Sequence, residues 1–351
     1  MQNIAIVTGG NAGGLALEPK LAEAVKKVID AAQSKNTRRA YAVQFAKFQA
    51  WCKRRCTSAL PATPAVVAVY LVDLAETGAD PSKPPKGAKV ATVGLALSAI
   101  SAAHRAADVE LDTKAREIRA AMKGIRKDYA APQAQAEALR PETVRGILSG
   151  LKNSDSPLDR RDAALVALLF SAALRRSEIS GLDYATAGTG DGYLRLTDKA
   201  VEIVLLRSKA RTEPVPVLVP REKNPGLIAA LERWVATASI QAGEPLFRSV
   251  NKGGRVGGRI RDGGVSLVLK ARIARYLQDC GYTAEAASDA AAKYSGHSGR
   301  VGMYTAASEA GVAIEAVAML ARHKSLNVAQ RYSRNAKQLE LAPSNNEALA
   351  I

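Results

Sequence analysis

Residues 294–311 read YSGHSGRVGMYTAASEAG. The stretch holds His297, one of only three histidines in 351 residues, and Arg300 three positions later. That separation puts both side chains on one face of a helix. Aimed at one point, they suit a phosphate. Arginine offers a planar fork of donors, and histidine adds a donor, neutral or charged. His323 follows 23 residues after Arg300, and Tyr332 nine residues after that. Upstream, ALRRSEISGL sets Arg175 and Arg176 at the end of an apolar helix. An arginine there is hard to bury without an anion. Glu178, three residues after Arg175, is placed to orient it. Lys209 falls at the tip of a predicted hairpin, where a side chain reaches outward. Taken singly, each feature has a plain structural reading, and a histidine–arginine pair on a helix is more often scaffold than chemistry. Their order and spacing carry the argument.

Composition narrows the partner. The net charge is +17, which points to a polyanion, most simply nucleic acid. Residues 20–130 hold 20 Lys/Arg against 10 Asp/Glu, so the N-terminal part is the more basic one. Hydrophobic residues make up 47% and charged residues 24%, enough for real cores and against wholesale disorder. The three cysteines show no zinc-ligand spacing and no disulfide framework, as expected of a reducing cytoplasm. No apolar run approaches the ~18 residues of a membrane span, and the N-terminus does not read as a signal peptide. The opening IAIVTGGNAGG resembles a glycine-rich dinucleotide loop, but its last glycine would be Leu15, and no Tyr-x3-Lys follows. Residues 1–18 therefore read as a flexible arm.

The remainder divides in two. Residues 19–128 read as a helical domain. The run TRRAYAVQFAKFQAWCKRR carries one apolar stripe, Tyr41, Phe45, Phe48 and Trp51/Cys52, with Arg38, Arg39 and Lys47 off it. Residues 129–140 are polar and rich in Ala, Pro and Gln, as in a linker. Residues 141–334 form a second, mostly helical domain, interrupted by three β-type runs, GYLRLTD, VEIVLLRSK and EPVPVLVP, which predict a small antiparallel sheet. The fold class is mainly α in two domains. Residues 335–351 make a tail with apolar Leu339, Leu341, Leu349 and Ile351.

The ordered set Arg175, Lys209, His297-x-x-Arg300, His323, Tyr332 resembles the active-site series of the tyrosine recombinases, the phage integrase family. Within it the chain looks most like the Cre group, in SGHSGRVG, FQAWCK, EAGVAIEAVAML and the YSRN ending. The resemblance spans roughly residues 30–340. One departure is that the Cre group carries tryptophan at the place of His323, whereas most of the wider family has histidine.

The resemblance implies a core-binding bundle at residues 19–128, a catalytic domain at 141–334, and a C-shaped clamp on double-stranded DNA. It implies site-specific strand exchange through a 3′-phosphotyrosyl link, with no cofactor, metal or ATP. Tyr332 would be the nucleophile, Arg175 and Arg300 the phosphate clamp, and His323 a further donor. His297 would be the base or orienting group, Lys209 the general acid, and Glu178 a support. Arg176 is the alternative to Arg175 as first arginine. Arg38, Arg39 and Lys89 in the first domain, and Arg259 and Arg261 in the second, are candidate DNA contacts. The tail would dock on a neighbouring protomer, giving a homotetramer on two DNA sites. A cytoplasmic protein of bacterial or phage type, at the nucleoid and away from membranes, is expected. A type IB topoisomerase and a non-catalytic DNA-binding protein share many of these residues and stay open at this point.

Overall fold

The computed structural model describes residues 35–79, 82, 86–130, 136–206 and 215–312. The predicted arm and tail, Lys209, His323 and Tyr332 lie outside them. The chain divides into two compact units, 1–133 and 134–351.

In the first unit, helix α1 (Lys35–Arg54) packs on α3 (Val90–Ala106), and α2 (Pro64–Thr77) on α3 and on α4 (Arg116–Asp128). The predicted stripe is what brings them together. Phe48, Trp51 and Cys52 are buried among Val67, Tyr70, Leu71, Ile100 and Ile118. The Tyr70 ring centroid lies 4.9 Å from that of Phe48 and 5.3 Å from that of Trp51. Trp51 Nε1 donates to Asp73 at 2.6 Å, which satisfies the indole and ties α1 to α2. Thr63 caps α2 by accepting from the Val66 N–H, and Pro64 takes the first helical position, where its missing donor costs nothing. Exposed Arg39 and Lys47 flank the stripe on the outer side, as does Arg38.

His104 is fully buried in this unit. Its Nε2 accepts from the Ala62 N–H at 2.9 Å, and its Nδ1 donates to the Ile100 carbonyl at 2.9 Å. One of the three histidines is thus a structural rivet between a loop and α3.

The second unit is built around a helix buried from Arg161 to Leu169, α6 (Pro157–Ser171). Such a helix is apolar almost all round because neighbours cover every face. Those neighbours include α5 (Pro141–Leu151), α8 (Pro225–Thr237), α9 (Asp262–Asp279) and α11 (Ser298–Glu309). The two charges in the buried stretch are closed into a network. Arg161 pairs with Asp162 at 2.6 Å, and Arg272 of α9 donates to Asp162 at 2.7 Å and also to Asp159. Buried ions are tolerated when paired in this way.

A short helix, α7 (Arg176–Ser180), leads into a four-stranded sheet in the order β1 (Leu182–Tyr184), β2 (Gly192–Leu196), β3 (Ala200–Leu205), β4 (Val215–Pro220). β2, β3 and β4 are the antiparallel runs that the sequence predicts. β1 is added in parallel, which the sequence did not show. Three residues are too few to display a period. The hairpin β5 (Arg248–Val250) and β6 (Val256–Arg259) was likewise hidden by its glycines. β4 closes the described sheet with Val217 and Val219 buried and Pro216, Leu218 and Pro220 outward. Helix α10 (Ala284–Ala292) precedes the histidine motif.

The end of the predicted linker is anchored, not free. Glu137 N–H donates to the Lys293 carbonyl at 3.1 Å and Leu139 N–H to the Ser298 carbonyl at 3.0 Å. Leu139 is fully buried in the second unit's core, and Arg140 makes a two-pronged pair with Glu309 at 2.6 and 2.7 Å. An apolar residue in a polar run was the signal that composition averaged away. Among the described residues no helix is long and apolar enough to cross a membrane.

Replacing His104 by Phe keeps a flat ring, slightly larger, but strands the buried Ala62 N–H. The full chain should lose about 1–3 kcal/mol in the first unit. Urea unfolding followed by tryptophan emission checks this, since Trp51 reports the first unit and Trp234 the second. An unchanged Trp51 transition would show that the rivet is dispensable.

Candidate active site

Three backbone features bring the candidate residues together. The apolar α6 ends at Ser171, and the chain turns through Ala173, at positive φ, into Arg175, the N-cap of α7. The buried Glu178 turns back on that cap. Its Oε2 accepts from the Arg175 N–H at 2.8 Å and its Oε1 from Arg175 Nη1 at 2.7 Å. One carboxylate therefore caps the helix and aims the guanidinium, which remains partly open to solvent.

The motif around His297 is set by close approach. A side chain at Gly299 would meet the Leu169 carbonyl oxygen at 2.4 Å, and one at Gly302 the Leu139 oxygen at 1.9 Å. Helix α11 therefore rests on α6 and on the 136–140 segment backbone against backbone. Its N-cap is His297, and Arg300, in its first turn, is only 3% exposed. No acidic residue occupies that first turn, which leaves the positive end of the helix dipole to reinforce the cations.

The loop before the motif is pinned by α9. Gly296 N–H donates to Ser266 Oγ at 3.1 Å, and Arg176 lies 3.7 Å from Asp262. Arg175 and Arg176 thus differ in setting. The first is held by a buried carboxylate, and the second lies on the surface near an exposed one.

The charges meet at His297. Burial lowers its imidazole below the ordinary value of 6.5, and Arg300, Arg176 and Arg175 push the same way, with Glu178 opposing. Much of the residue still meets solvent, so the burial is partial and the arginine charges matter beside it. A neutral ring surrounded by cations accepts a proton reluctantly and becomes more basic once an anion is bound.

The other candidates are scattered. Arg38 and Arg39 lie on the exposed side of α1, Lys89 is the exposed N-cap of α3, and Arg261 the exposed N-cap of α9. Arg259 corrects the expectation of a DNA contact. Its guanidinium is spent internally on the fully buried Asp183, on the Ser180 carbonyl at 3.2 Å and on the Leu182 carbonyl at 3.0 Å. Asp183 also gathers the Gly188 and Gly190 N–H groups at 2.8 Å each. The pair braces the far end of α7, whose near end is Arg175. Sequence reasoning missed it because the partners are 76 positions apart. An apolar cleft of about 240 Å³ beside Leu148, Leu151 and Ala230 holds none of these residues.

The buried Arg300, the partly exposed Arg175 and the exposed Arg176 thus surround the exposed His297 with positive charge. Comparison with known proteins places the chain in a family. Residues 137–338 match the phage integrase family, and the chain belongs to that family, the tyrosine recombinases, enzymes of site-specific DNA recombination. An integrase/recombinase xerD homolog of Selenomonas ruminantium is 28% identical over 318 residues, 89% of this chain and 85% of that one. The structure of XerH site-specific recombinase bound to palindromic difH substrate, a post-cleavage complex, shares the fold. Its TM-score is 0.55 at 17% identity, over 87% of this chain and 78% of that one.

The His297 shift has a testable sign. As the pH falls through 6.5, the unfolded chain takes up a proton that the folded one declines, so stability is lost until the folded ring also protonates. Between pH 7.5 and 5.5 the urea midpoint of the wild type should fall further than that of His297→Asn. Equal falls would remove the depressed histidine from the site.

Proposed function

We propose that this recombinase cuts and rejoins DNA through a covalent 3′-phosphotyrosyl link, using Arg175, Lys209, His297, Arg300, His323 and Tyr332. The observation that carries it is the convergence of Arg175, Arg300 and a neutral-leaning His297, with Glu178 orienting the first. The family match and the xerD homolog support it. So does the sequence series, whose last members lie beyond the described residues.

The chemistry follows from the charges. A phosphodiester repels an attacking oxygen, and charge builds on its non-bridging oxygens as attack proceeds. Arg175 and Arg300 meet that charge, and His323 donates a further hydrogen bond. Tyr332 Oη bonds to phosphorus while the bond from phosphorus to O5′ breaks. The phenol proton passes to His297, and Lys209 protonates the departing O5′. One phosphoester replaces another, so the bond energy is kept and no ATP is required. Attack by a 5′-hydroxyl of the partner strand reverses the step and joins new ends. The arginines supply the cationic charge that metal ions supply elsewhere.

In the first unit Arg38, Arg39 and Lys89, and in the second Arg261, contact DNA. Phosphate contacts give most of the affinity, and base-edge contacts give the choice of site. The 335–351 tail docks on a neighbouring protomer, and head-to-tail docking of four copies closes a ring on two DNA sites.

Two variants and one chelator test this. Tyr332→Phe should bind DNA yet trap no covalent adduct, and an adduct that persists would move the nucleophile elsewhere. Arg300→Lys keeps the charge but loses the fork, and cleavage should fall by about 10²–10³. Cleavage should proceed in EDTA, and a strict Mg²⁺ requirement for bond breaking would overturn the mechanism.

A further inference from the structure

We propose that Leu267 reads DNA sequence by packing on the 5-methyl group of a thymine in the major groove. This rests on the recombinase reading above and names one contact within it. Leu267, on α9, is 70% exposed, more than any other large apolar residue described. A lone exposed leucine is ordinary, but here the neighbourhood gives it meaning.

The first two turns of α9 are fixed to the candidate active site at two points, Ser266 to Gly296 and Asp262 to Arg176. Leu267 follows Ser266 on the second of these turns. Residues four apart share a helical row. The row of Leu267 is Gly263, Leu267, Ala271, Arg275 and Asp279, all exposed, with its one acidic member at the far end of the helix. A side chain added at Gly263 would meet nothing within 4 Å, so the row is open beside the leucine. Exposed Arg261 caps the head of the helix. Arg275, at the other end, is paired with Asp279 at 3.1 Å.

A polyanion therefore finds small residues and one leucine along this row, whose one carboxylate, Asp279, lies at the far end and is paired with Arg275. The position is continuous with the phosphate cluster, which favours DNA over a protein partner. Among the base edges of the major groove, the apolar group is the thymine methyl. That chemistry identifies the contact.

The test is selection of binding sites from randomised duplexes by the full chain and by Leu267→Ala. Both should select the same site, except that the variant loses preference at one or two A·T positions. At such a position, deoxyuridine in place of thymidine should weaken wild-type binding about fourfold, the worth of one buried methyl. The variant should be indifferent. The salt dependence should match in both, since no phosphate contact changes. Identical selected sites, or indifference of the wild type to the missing methyl, would sink the proposal. So would normal site choice by the variant with lost assembly of protomers, which would assign the leucine to protein contact. A wild type that selects no site would overturn the recombinase reading itself, and this contact with it.

Discussion

The candidate site depends on one backbone-to-backbone contact. Helix α11 lies so close to Leu169 and Leu139 that neither Gly299 nor Gly302 has room for a methyl group. The pattern is thus steric before it is chemical, since overpacking such a contact costs about 1–3 kcal/mol. Arg300 stands between the two glycines and is carried into the interior with them. His297 is left at the helix start, beside the arginines. The Leu139–Ser298 hydrogen bond secures the same contact from the other side, so the 136–140 segment and the candidate active site are one piece of structure.

Two kinds of buried charge coexist in this unit, and their surroundings separate them. Arg161, Arg272, Asp159 and Asp162 close on one another across α6 and α9. The carboxyl of Asp159 pays for desolvation, yet is held below its ordinary range by Ser154 and Arg272. Such a network braces the scaffold. Around His297 burial first, and then the charges of Arg300, Arg176 and Arg175, instead hold the imidazole below its ordinary range. Perturbed groups of this kind gather at functional sites.

Much of this was legible in advance, and the reasons are local. The helices of both units announce themselves through apolar spacing, proline starts and the Thr63 cap. Arg175, Glu178, His297 and Arg300 were legible as candidates because they sit within short motifs whose spacing matches helical geometry. What escaped was non-local. Arg259 looked like a spare cation because nothing near it in sequence hints at Asp183. The Leu139 anchor hid in a polar run, β1 was too short to show alternation, and His104, to which sequence reasoning assigned no role, proved to be a rivet. For Arg259, Leu139 and His104 the deciding partner came from a distant part of the chain.

The outer strand β4 has a consequence for how the protein keeps itself apart from its own copies. Pro216 and Pro220 have no N–H, so the outward set of this strand offers one backbone donor, at Leu218. A bare strand edge invites another chain to extend the sheet. With a single donor on that side, the described edge of β4 is a poor template for such pairing.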